Sequence, residues 1–132
     1  MDGINLILIG VVLLAAAGAG VWSFLSSPNG PRAAQWLAEV RELEVKIRMN
    51  RGPELVEDLR SLAQLYIRLG RRWDAEQALR RAMLISETEL GRLNPTVIPV
   101  LEDYARLLSQ MNRKREATAL QKQIEEISDH TK

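Results

Sequence analysis

The chain has 132 residues, with 18 Lys and Arg against 17 Asp and Glu, one histidine and no cysteine. That length holds one small domain, and a net charge of +1 gives no global attraction for nucleic acid. The missing thiols exclude disulfide staples and thiolate metal sites, while abundant Leu, Ala, Arg and Glu favour helix.

Residues 4–25 read INLILIGVVLLAAAGAGVWSFL, with no charge. At about 1.5 Å per residue they reach roughly 33 Å, the length of a membrane-spanning helix. A cleaved signal peptide would start on basic residues, whereas this chain starts MDG, with an acid and no Lys or Arg. Every Lys and Arg follows the apolar run. The expectation is a retained single-pass anchor in contact with the lipid bilayer, its C-terminal domain on the cytoplasmic side, with a bacterial inner membrane favoured over an organelle membrane. Residues 26–31, within SSPNGPR, carry two prolines and an Asn-Gly pair and read as a linker, with a new helix starting near Arg32.

Beyond the linker the sequence repeats itself. LRSLAQLYIRLGRRWDAEQALRRAMLI (59–85) aligns with LEDYARLLSQMNRKREATALQKQIEEI (101–127) at an offset of 42 residues. Leu59 falls on Leu101, Ala63 on Ala105, Leu65 on Leu107 and Ala75 on Ala117. Gly70 falls on Asn112; these residue types best tolerate the left-handed backbone that closes a helix. The same offset backwards places AAQWLAEVRELEVKI (33–47) as the second helix of a partial first unit.

Each unit reads as two helices. The first runs near Glu54–Leu69, with Leu55, Leu59, Leu62, Leu65, Tyr66 and Leu69 at helical spacing. After a turn at Gly70–Arg72, the second runs near Trp73–Leu90, with Ala75, Ala78, Leu79, Ala82, Met83 and Ile85 on one side. Alanine at 63, 75 and 82 lets two backbones lie close, as a stacked helical hairpin requires. In the second unit Asn94 and Pro95 suit a helix start. Pro99 would then cost a backbone hydrogen bond, so regular helix is expected nearer Ile98.

LAQLYIRLGRRWDAEQALRRAM (62–83) resembles the tetratricopeptide repeat. The resemblance rests on Ala63, Tyr66, Gly70, Trp73, Ala75 and Ala82 at that family's spacing, with Trp73 among the residues that shape the hairpin. The 42-residue period is similar to the long repeats of kinesin light chain and its bacterial relatives. Joined to the transmembrane helix read at 4–25, the resemblance implies an all-α chain whose residues 32–128 form an α-α hairpin solenoid of about two and a half repeats. Residues 129–132 are expected as a disordered tail. Glutamine at 121 and isoleucine at 124 replace the Leu79 and Ala82 of the first unit, as befits a terminal unit with one face in water.

The resemblance also implies that peptide partners lie along a concave surface lined by the first helix of each unit. Arg60, Gln64, Arg68 and Arg106 are the donors expected there. The turns form a second candidate, basic in both units: Arg71 and Arg72, then Arg113, Lys114 and Arg115. They would face anionic lipid, an acidic partner or water. No catalytic motif, phosphate loop or metal-ligand spacing is present in the sequence, and His130 sits in the polar end SDHTK. The expected role is a membrane-anchored, non-enzymatic adaptor without cofactor that binds protein, a membrane complex or a second copy, and no nucleic acid. The alternative is an accessory subunit of a membrane complex, docked through its anchor.

Overall fold

The computed structural model describes residues 23–25 and 27–132, and all secondary structure among them is helical. Five α-helices follow in order: α1, Pro31–Met49; α2, Glu54–Arg68; α3, Arg72–Leu90; α4, Ile98–Gln110; and α5, Lys114–His130. A single 3-10 turn, Pro95–Val97, precedes α4. Each helix packs on its neighbour in sequence: α1 on α2, α2 on α3, α3 on α4 and α4 on α5. This is a one-dimensional stack of helices around a continuous apolar seam.

The apolar periodicity fixes which sides meet. In α2, Leu55, Leu59, Leu62, Ala63 and Tyr66 are buried; in α3 the buried stripe is Ala75, Ala78, Leu79 and Ala82. Ala63, Ala75 and Ala82 have no exposed surface at all, so the backbones of the first hairpin lie close at these points. In α4, Val100, Tyr104, Ala105, Leu107 and Leu108 join the same core. A smaller cluster of Val97, Leu101 and Ile127 ties the start of α4 to the end of α5. The terminal helices bury less. Helix α1 buries only Ala33, Val40 and Ile47, and α5 only Ala117 and Ile127.

The two hairpin turns share one geometry. Gly70 has φ 73° and Asn112 φ 61°, the left-handed backbone that the Gly-to-Asn exchange predicts. The Arg71 amide donates back to the Tyr66 carbonyl at 2.8 Å, and the Arg113 amide to the Leu108 carbonyl at 2.9 Å. These six-to-one bonds satisfy carbonyls at the ends of α2 and α4. Helix α4 starts at Ile98, where Pro99 places it, and the Asn94 side chain caps the preceding turn by accepting from the Thr96 amide at 3.0 Å. Helix α5 runs through His130, into the segment expected as tail.

The fold class expected from the sequence needs correction at its N-terminal end. Among the described residues no helix is long and apolar enough to cross a membrane. The reason is compositional: α1 and α3, the longest at 19 residues, each interleave Arg and Glu with their apolar stripes. The described chain is thus a helical bundle with no transmembrane element. The single-pass topology, the cytoplasmic orientation and the inner-membrane placement lose their support. Residues 4–22 of the expected anchor lie outside the described residues.

Candidate functional site

The four donors expected on the concave surface do not form one row. Arg60 Nε donates to Asp103 Oδ2 at 2.8 Å, and its Nη1 donates to Glu57 Oε1 at 2.9 Å. Arg106 Nη1 reaches the other Asp103 oxygen at 3.5 Å. Asp103 is nearly buried, so Arg60 and Arg106 converge on a carboxylate of α4 and join α2 to α4. Burial alone would lower the Arg60 pKa; the bonds to Asp103 and Glu57 outweigh it and raise it. Gln64 and Arg68 lie elsewhere. They line a shallow depression of about 260 Å³ toward α1, with Glu39, Leu43, Ser61 and Leu65.

A groove of about 780 Å³ runs between α4 and α5. Ala105 floors it, and Glu102, Arg106, Ser109, Gln121, Ile124 and Glu125 line it. The repeat gives this groove a counterpart inside the molecule. Forty-two residues earlier, Ala105, Gln121 and Ile124 become Ala63, Leu79 and Ala82. Those three have no exposed surface, because α4 packs on α3 and reaches α2 through the Asp103–Arg60 bond. The first unit's groove is therefore filled by the next helix of the chain. The second unit's groove is open, with Gln121 exposed and Ile124 half-buried.

The basic turns divide into paired and unpaired cations. Arg71 Nε donates to Asp74 Oδ2 at 2.7 Å, and its guanidinium lies 4.7 Å from the centre of the Tyr66 ring. Arg113 repeats the first contact one unit on, as a two-bonded pair with Glu116 at 2.7 and 2.6 Å. It also donates to Glu76 Oε2 at 2.7 Å. Arg113 holds the Glu116 carboxyl below its ordinary pKa. Glu76 is 1% exposed; its other oxygen accepts from Tyr104 at 3.2 Å and Arg80 at 3.3 Å. The side chains of Arg72, Lys114 and Arg115 are exposed and make no hydrogen bond or ion pair among the described residues.

Two side chains depart from their sequence reading. Trp73, expected to shape the hairpin, is 68% exposed; its ring lies 6.0 Å from the Arg113 guanidinium and outside the core. Glu76 reads in the sequence as one of the acids that dilute the arginine stretch, yet its place at the margin of the Ala75–Leu79–Ala82 stripe carries a further signal: an acid there must find donors or stay in water.

Tyr66 gives the site a pH signature. Burial of the ring and the 2.6 Å bond to Glu44 push its phenol up to about 12. Because the folded pKa exceeds the unfolded value near 10, the folded state holds the proton longer. This contribution is complete below about pH 10 and fades between about 10 and 12. Spectrophotometric titration should show one tyrosine ionising about two units above its free value, and Glu44→Gln should bring it down. Ordinary titration of Tyr66 would contradict the Tyr66–Glu44 bond.

Among the described residues no group of three or more His, Asp or Glu is placed to hold a metal ion. No protein-family model matches the chain, and no curated protein matches it.

Proposed function

We propose that the chain is a tetratricopeptide-like protein-interaction module that takes a helix of a partner protein in the groove between α4 and α5. The observation that carries this reading is the repeat relation itself: the equivalent groove one unit earlier is filled by a helix, α4. The lining decides the kind of helix. Where the internal groove presents Leu79 and Ala82, the open one presents Gln121 and Ile124 above Ala105, rimmed by Glu102, Arg106 and Glu125. A mixed rim around a small apolar floor suits an amphipathic helix that leaves and returns, rather than a permanently buried one.

Photo-crosslinking tests this directly in the full-length protein. A crosslinker at Ser109 or Gln121 should trap a discrete partner, and one at exposed Glu126, outside the groove, should not. Ile124→Glu should reduce the adduct by about tenfold or more, because it places a charge on the floor that the partner must desolvate. Equal adducts from Glu126 and Gln121, or an adduct untouched by Ile124→Glu, would reject the groove.

A further inference from the structure

The outer face of α3 is separate from the groove and has a different character. Trp73, Arg80 and Leu84 lie seven and eleven residues along the helix, within about 20° of one line at 100° per residue. Trp73 and Leu84 are 68% and 63% exposed, among the largest apolar exposures in the described chain. About 16 Å separates them along the axis. The two basic turns and Arg80 bring six cations to the Trp73 end, Arg71, Arg72, Arg80, Arg113, Lys114 and Arg115, against four carboxylates: Asp74, Glu76, Glu116 and, beside Arg71 and Tyr66, Glu44. The whole chain carries only +1, so this edge concentrates positive charge.

The internal ion pairs prepare the edge for a ligand. Glu76 is buried and holds Arg113 and Arg80 on one carboxylate. Glu116 clamps Arg113 from the other side. Arg113 is thereby fixed beside the indole of Trp73, which loses little freedom on binding a second group. The Arg72, Lys114 and Arg115 side chains remain exposed, with no side-chain partner among the described residues. An exposed tryptophan beside fixed and free cations has the composition of an interface anchor.

We propose that this edge binds an acidic segment of a partner protein, with apolar side chains on Trp73 and Leu84 and carboxylates on Arg72, Arg80 and Arg115. The excess of cations selects the charge of the occupant, and the two exposed apolar side chains require it to be amphipathic. The inference rests on the chain's being an interaction module but uses a face distinct from the groove.

The probe is a fluorescein-labelled synthetic peptide of glutamate and leucine, with a counterpart carrying glutamine for glutamate, measured by anisotropy against the full-length protein. The acidic peptide should bind, and the glutamine peptide at least fivefold more weakly. Salt of about 0.5 M should weaken the acidic complex further. Trp73→Ala and the double variant Arg72→Glu with Arg115→Glu should each lose at least fivefold in affinity. All three positions are exposed, and unchanged melting temperatures show that the fold is kept. Ile124→Glu should bind the peptide like the parent. Loss with Ile124→Glu but not with Trp73→Ala would move the acidic ligand to the groove, overturning this inference while leaving the module. No binding, or preference for anionic vesicles or a single-stranded oligonucleotide over the peptide, would also overturn it.

Discussion

Leu79→Ala is expected to cost about 3–5 kcal/mol and lower the melting temperature by about 15 °C or more. Leu79 has no exposed surface and sits in the main core with Ala75, Ala82 and Tyr104. Truncation removes buried methyl groups and leaves a void that flanking alanines have no atoms to fill. Against a total stability of about 5–15 kcal/mol for a small domain, this is a large fraction. The control lies within the molecule: Gln121 occupies the equivalent position 42 residues on but is exposed. Gln121→Ala should change stability by less than about 0.5 kcal/mol. Urea denaturation followed by circular dichroism compares the two. Similar losses at both positions would mean that the second groove is covered in the free protein, contrary to the structure.

Glu76→Ala is expected to cost about 2–4 kcal/mol, more than an exposed ion pair would. Two effects add. The Tyr104 hydroxyl, buried against α3, loses its acceptor, and the space left by the carboxylate stays largely unfilled. The arginines suffer less, because Arg80 reaches solvent and Arg113 keeps Glu116. Adding Tyr104→Phe to Glu76→Ala should therefore recover about 1 kcal/mol, since the orphaned hydroxyl goes with it. Denaturant unfolding of the four proteins gives the cycle. Strict additivity would show that the Tyr104–Glu76 bond contributes nothing in solution.

The repeat was the most legible part of the sequence, because it rests on spacing. Gly70 and Asn112 read as the same turn residue, and the structure gives both the same left-handed backbone and the same following bond. Pro99 located the start of α4 because a ring without an amide proton belongs only in a first turn. The charges were less legible. Arg60 has the look of a free donor when only its own helix is considered; its partner Asp103 comes from another helix far along the chain. Pairing across helices has no periodicity to announce it. Trp73 misled for a related reason: a motif position says which residue type recurs, while exposure depends on what the neighbouring helix covers. The transmembrane expectation rested on hydropathy over residues 4–25, and no described helix has the length and apolarity it requires.

The order in which the helices touch has a mechanical consequence. Helix α1 leans chiefly on α2, and α5 chiefly on α4, while α2 and α3 share the closest seam, around Ala63, Ala75, Leu79 and Ala82, which have no exposed surface. An array built this way comes apart like a stack of books lifted from its ends. Fraying of α5 dismantles the Ile124 groove while the first hairpin keeps its own seam, and a guest helix seated there would act as a bookend, slowing the loss of every layer beneath it.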